Sequence, residues 1–128
     1  MKKVVKFGGS SLASAEQFQK VGEIIRADES RVYVVPSAPG KRFSDDTKVT
    51  DMLLHAYDLA SQGKDIAEQM TAIKARYMEI IEGLHLENFS LDEDFAIIEE
   101  QLRNDPQKDY TASRGEYLNG KIMAEYLG

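Results

Sequence analysis

Lys6 stands two residues before Gly8-Gly9-Ser10-Ser11, at the end of the apolar run Val4-Val5-Lys6-Phe7. An ammonium beside a glycine turn suits the holding of an anion. Glycines let a backbone approach its ligand closely, and the N–H groups that open a helix carry partial positive charge. Lys6, with the backbone N–H groups of Gly8, Gly9 and Ser10, therefore reads as a phosphate cradle with its cation. The stretch is not a Walker A loop, because no Gly-Lys-Ser/Thr follows at the required spacing. Nor is it Gly-x-Gly-x-x-Gly, since only Gly8 and Gly9 are present. The structural alternative is a plain strand-to-helix turn, with glycines for positive φ and Ser14 as a helix cap.

Other chemistries are poorly supplied. The 128 residues include no cysteine, which excludes a disulfide framework and a thiolate metal site. His55 and His85 fall in helical patterns without a partner at ligand spacing, so no metal-binding residue is assigned. A net charge of −6 argues against a nucleic-acid surface. No apolar stretch approaches the length of a membrane span, and the N-terminus lacks the apolar core of a signal peptide. Hydrophobic residues make up 42% and charged residues 30%, the balance of a folded domain with a real core. A cytoplasmic protein with no membrane or nucleic-acid partner is expected.

The elements that must position Lys6 follow from periodicity. Val4 to Phe7 has the continuous apolar character of a strand buried on both faces. Ser14-x-x-Gln17 reads as a capping box, and Phe18, Val21, Gly22 and Ile25 give a helix ending near Asp28. Arg31-Val32-Tyr33-Val34-Val35 is a second buried strand, stopped by Pro36. Strand, helix and strand with short joints make a right-handed βαβ unit with parallel strands. Lys6 then lies at a strand's C-terminal end, where open α/β sheets bind ligands.

Residues 37–48 read as a solvated, mobile loop carrying Lys41, Arg42, Asp45 and Asp46. Beyond it the pattern is helical. Val49, Met52, Leu53, Ala56 and Ala60 mark one helix, broken near Gly63. Ile66, Met70, Ile73, Tyr77, Ile80 and Leu84 mark a longer one. Ser90-x-x-Glu93 has capping-box spacing before Leu91, Phe95, Ile98 and Leu102, and Asn104-Asp105-Pro106 closes that helix. A last helix runs from about Thr111 to Leu127. Two parallel strands and five helices make an incomplete sheet, so the stretch reads as the N-terminal piece of a longer α/β domain.

Three motifs in order carry a family likeness: Lys6-Phe7-Gly8-Gly9-Ser10-Ser11; Pro36-Ser37-Ala38-Pro39-Gly40 with Val49-Thr50-Asp51-Met52-Leu53 behind it; and Ser113-Arg114-Gly115-Glu116. Together they resemble the aspartokinases, of the amino acid kinase superfamily. The resemblance covers essentially the whole chain, but only the N-terminal half of the family's catalytic domain. The proline in the Ser37 loop and the inserted residues 41–48 depart from the commoner pattern. The fold implied is part of a three-layer αβα sandwich, lacking the nucleotide-base half and the regulatory domains.

The activity implied is ATP-dependent phosphorylation of the side-chain carboxylate of L-aspartate, with Mg2+ bridging the phosphates. That reaction leads toward lysine, threonine and methionine, in a full-length enzyme that is a homo-oligomer. By the resemblance, Lys6 neutralises the transferring phosphoryl group and Gly8, Gly9 and Ser10 hold phosphate oxygens, while Ser37, Thr50 and Glu116 line the aspartate pocket. Each has a structural alternative. Lys6 could snorkel from a strand end, Ser37 could stabilise its own turn, and Thr50 could satisfy a helix-start N–H. Ser113-x-x-Glu116 itself has capping-box spacing. The competing functions are a kinase for glutamate or an N-acylated amino acid, and a non-catalytic fragment serving as a protein-binding module. The isolated chain is expected to show little turnover and to expose apolar surface through which it associates.

Overall fold

The computed structural model of the chain describes residues 2–128, the side chain of Val32 excepted. Lys3–Phe7 forms β1 and Arg31–Pro36 forms β2. They pair in parallel, with Val4 opposite Tyr33, Val5 opposite Val34, Lys6 opposite Val35 and Phe7 opposite Pro36. Between them runs the helix Ala15–Arg26 (α1), whose first turn is capped by Ser14: its Oγ accepts the Gln17 N–H at 3.4 Å. Phe18, Val21, Gly22 and Ile25 form its buried stripe. Asp28 makes the return turn into β2, accepting from the Ser30 N–H at 2.9 Å and from the Lys3 ammonium at 2.8 Å. The Lys3 hydrogen bond, followed by those of Ser30, holds the Asp28 carboxyl well below the usual carboxylate range.

Four more helices complete the chain: Val49–Ser61 (α2), Ala67–Gly83 (α3), Asp92–Asn104 (α4) and Lys108–Leu127 (α5). Gly63 ends α2 in the left-handed region at φ 71°, where its N–H reaches the Ala60 carbonyl at 3.0 Å. Ile73, Tyr77 and Ile80 of α3 pack with Phe95 and Ile98 of α4 and Leu118 and Ile122 of α5 in one core. The Tyr77 and Phe95 rings meet at a tilt, 5.8 Å between centroids.

Several expectations are corrected. The strands are not buried on both faces. Val5, Phe7 and Val34 pack against the core, whereas Val4 is 67% exposed, Tyr33 52% and Val35 45%. Side chains alternate along a strand, and among the described residues the helices cover only one face of the sheet. Lys6 belongs to the open face with Val4, Tyr33 and Val35. Ser90 is not an N-cap. Leu91 takes that position, and the Ser90 hydroxyl accepts the Asp92 N–H at 3.1 Å in a local turn. His85 lies beyond α3 at φ 56°, in the turn that leads toward α4.

Candidate active site

The glycine turn grows directly out of β1. Gly8 continues extended (φ −76°, ψ 170°), and Gly9–Leu12 then makes a single 3-10 turn in which the Ser11 N–H bonds the Gly8 carbonyl at 3.2 Å. The first N–H groups of such a turn have no partner within it. Gly8 and Ser10 are exposed. The exposed Lys6 makes no hydrogen bond or ion pair among the described residues.

The Ser37 loop lies against this turn. Its first N–H extends the strand ladder, Ser37 donating to the Phe7 carbonyl at 3.2 Å. Gly40 then donates its N–H to the Gly9 carbonyl at 2.8 Å. A Cβ on Gly40 would lie 2.6 Å from the Gly9 carbonyl carbon and 2.7 Å from the Ser10 nitrogen, so only glycine permits this approach. Ala38, Pro39 and Gly40 are buried, and the Pro39 carbonyl accepts the N–H of Val49 at the start of α2 at 3.0 Å.

Of Lys41, Arg42, Asp45 and Asp46, the second and the last find partners, while residues 41–45 are exposed to solvent as the sequence leads one to expect. The Arg42 guanidinium reaches Asp46 at 2.7 Å and Glu79 of α3 at 2.8 Å. Arg76, a buried cation of α3, donates to the carbonyls of Gly40 at 2.6 Å and Thr47 at 2.8 Å. The Arg42 hydrogen bond, aided by backbone N–H groups and the Arg76 charge, holds the Asp46 carboxyl below the usual range. Burial, and then the neighbouring Arg42 charge, lower the Arg76 guanidinium as well, which for a cation disfavours the charged form.

Helix α5 packs against the same loop. A Cβ on Gly115 would lie 2.7 Å from the Ala38 Cβ, and the buried Tyr77 hydroxyl donates to the Gly115 carbonyl at 2.9 Å. One turn on, the Asn119 side-chain amide donates to the Ser37 carbonyl at 2.8 Å. Glu116 follows Gly115 at this contact, exposed and without a hydrogen bond or ion pair among the described residues. The capping-box alternative for Glu116 fails, because α5 already begins at Lys108 and the Ser113 hydroxyl bonds back to the Tyr110 carbonyl at 2.7 Å. Thr50 is the second residue of α2, half-buried, and its hydroxyl has no partner among the described residues.

Gly9, the Ser37 loop and the Gly115 turn of α5 are thus joined by direct contacts, with Thr50 just beyond the Pro39–Val49 bond. A separate cavity of about 480 Å³ lies between the loop, α2 and α3, and none of the site residues expected from the sequence (Lys6, Gly8, Gly9, Ser10, Ser37, Thr50 and Glu116) lines it. Among the described residues, no three or more His, Asp or Glu side chains gather to hold a metal ion. Sequence reasoning missed Arg76 and Asn119. The signal for Arg76 was present: it falls between Ile73 and Ile80 on the apolar stripe of α3, where an arginine must have a partner.

Comparison with known proteins places this arrangement among its relatives. The model of the amino acid kinase family matches residues 1–128. The chain is 40% identical over 130 residues to aspartokinase 3 of Bacillus subtilis (strain 168), a match covering 98% of this chain and 29% of that protein. It is 31% identical over 137 residues to the chloroplastic aspartokinase 1 of Arabidopsis thaliana, covering 97% of this chain and 23% of that one. The crystal structure of Clostridium acetobutylicum aspartate kinase superposes with a TM-score of 0.93 at 43% identity, covering 99% of this chain and 29% of that one. E. coli aspartokinase III, solved with aspartate and ADP, shares the fold at a TM-score of 0.74 and 22% identity, over 99% of this chain and 29% of that one. The chain therefore spans less than a third of the length of these relatives.

Proposed function

We propose, from the premise that this chain belongs to the amino acid kinase family, that it forms the phosphate- and substrate-holding part of an aspartate kinase. The reaction is transfer of the γ-phosphoryl group of ATP to the side-chain carboxylate of L-aspartate. The observation that carries the reading is the contact of Gly40 with Gly9, which brings the glycine turn and the Ser37 loop together, with Gly115, the residue before Glu116, against the same loop. The aspartokinases among its relatives support the choice of substrate.

The chemistry asks little of acid–base groups. A carboxylate is already an anion at neutral pH, so no general base is required. A carboxylate oxygen attacks the γ-phosphorus, the bond to the oxygen bridging the β- and γ-phosphates breaks, and ADP leaves with that electron pair. The difficulty is bringing an anion in line with a polyanion, so positioning and charge compensation dominate. In this reading the Lys6 ammonium offsets charge on the transferring group, and the backbone N–H groups of Gly8, Gly9 and Ser10 hold phosphate oxygens. Ser37 and Thr50 offer hydroxyls to aspartate, and Glu116 pairs with its α-ammonium. Any Mg2+ would be held by the nucleotide's phosphates, where it would offset their charge. The donors of the turn, an ammonium and amides, fit phosphate oxygens and would not ligate the metal.

The remaining assignments follow the same reading. The stretch corresponds to the N-terminal part of the catalytic domain, and the open sheet face with Val4, Tyr33 and Val35 takes the remainder of that domain. The enzyme is a cytoplasmic homo-oligomer whose product leads toward lysine, threonine and methionine. A panel of L-aspartate, L-glutamate and N-acetyl-L-glutamate, offered with ATP to the full-length protein, tests the substrate. Aspartate is the expected acceptor. Preference for the acylated substrate, which has no ammonium for Glu116, would overturn it.

A further inference from the structure

We propose that Arg76 is a positioning residue for this site, fixing the Ser37 loop against the glycine turn and thereby setting the aspartate subsite. The bracing stands on geometry alone; only the consequence for aspartate rests on the kinase reading. Arg76 is 4% exposed, and its two terminal nitrogens go to the carbonyls of Gly40 and Thr47, near opposite ends of the inserted segment. Gly40 in turn donates its N–H to Gly9, so a single residue links the guanidinium's bond to the bond with the glycine turn. Asp46, 3.6 Å away, supplies the counter-charge and is itself held by Arg42, which also reaches Glu79.

A purely structural role would not call for a cation at this point. Burying a guanidinium is costly, and a well-packed apolar residue commonly serves stability as well or better. The stripe of α3 supplies apolar residues at Ile73, Tyr77 and Ile80, yet the intervening position holds a charge whose hydrogen bonds run to the loop. The planar fork of arginine can serve two carbonyls at once, whereas a lysine ammonium acts as a point charge on a flexible stem. Adjacent Tyr77 reaches α5 at Gly115, so two consecutive residues of α3 brace the loop and α5.

The test combines hydrogen–deuterium exchange and kinetics on the full-length protein, comparing wild type with Arg76→Met and Arg76→Lys. With Arg76→Met, exchange in a peptide covering residues 38–49 should accelerate at least about tenfold while peptides from α4 stay at wild-type rates. KM for aspartate should rise about tenfold or more, with KM for ATP moving far less, and Arg76→Lys should fall between. Unchanged exchange in residues 38–49, or equal acceleration in α4, would overturn the brace. A loosened loop with an unmoved KM for aspartate would overturn its consequence. Should Arg76→Met fail to fold, Arg76→Lys, which keeps the charge, carries the same comparison. If the wild-type protein prefers another acceptor, the kinase reading fails in its substrate while the exchange result still decides the brace, and the KM split is read on that acceptor.

Discussion

The backbone N–H of Gly40 meets the carbonyl of Gly9 at 2.8 Å, and no side chain larger than hydrogen fits on Gly40 between the two backbone segments. This contact holds two loops at neighbouring strand ends directly against each other. It also orders the glycines by what they tolerate. A Cβ on Gly40 meets backbone atoms at 2.6 and 2.7 Å, one on Gly9 meets backbone at 3.0 and 3.2 Å, and one on Gly8 meets nothing within 4 Å.

Alanine substitutions should follow that order. Gly40→Ala is expected to cost about 1–3 kcal/mol, because backbone must move to admit the methyl group. Gly8→Ala, at an extended φ of −76°, should stay within about 0.5 kcal/mol of wild type. Urea unfolding of the three variants checks the ranking, and a Gly8→Ala cost equal to that of Gly40→Ala would contradict it.

Acid should release the loop late. Asp46 has a folded-state pKa held below its ordinary value of 3.8, chiefly by the Arg42 hydrogen bond. A depressed carboxyl contributes stability above its unfolded pKa and loses that contribution as pH falls through the folded one. The ion pairs of residues 42 and 76 with Asp46 should therefore persist down to pH 4 and weaken only below it. Carboxyl-carbon NMR of Asp46 should show a midpoint under 3.8 that moves up in Arg42→Gln. A midpoint at or above 3.8 in the wild type would contradict the pairing.

Much of this arrangement was legible in the sequence, and the failures share a cause. β1, α1 and β2 are punctuated locally by Gly8, Ser14 and Pro36, and those signals survive folding. Arg42 and Asp46 pair within the loop, but the loop's ties to α3 are not local. Arg42 finds Glu79 37 residues away, and Arg76 lies 36 residues beyond Gly40, so composition alone shows only a charged loop. Ser113-x-x-Glu116 matches a capping box letter for letter, yet a helix that begins at Lys108 makes it interior. The strands' continuous apolar run does not reveal how many faces are covered, and here Val4 and Tyr33 remain exposed. Asn119 gave no signal at all, since a buried side-chain amide is recognised only once its partner at Ser37 is known.

Glu116 should be dispensable for folding and needed for substrate. It is exposed and unpartnered among the described residues, so Glu116→Gln is expected to leave stability within about 0.5 kcal/mol of wild type. Loss of the charged partner of an ammonium should weaken aspartate binding by about 1.5–3 kcal/mol. Calorimetric titration of aspartate into the full-length variant measures this, and wild-type affinity would remove Glu116 from the pocket.

The most direct test concerns Lys6, which has no structural partner among the described residues and stands beside the glycine turn. Aspartyl phosphate formed from ATP and L-aspartate can be trapped with hydroxylamine and compared in full-length wild type and Lys6→Met. The loss of the ammonium should lower kcat by about 10²–10³-fold, with circular dichroism and KM for aspartate little changed. Turnover within about threefold of wild type would show that Lys6 does not serve the phosphoryl group, and the account of the site would fail with it.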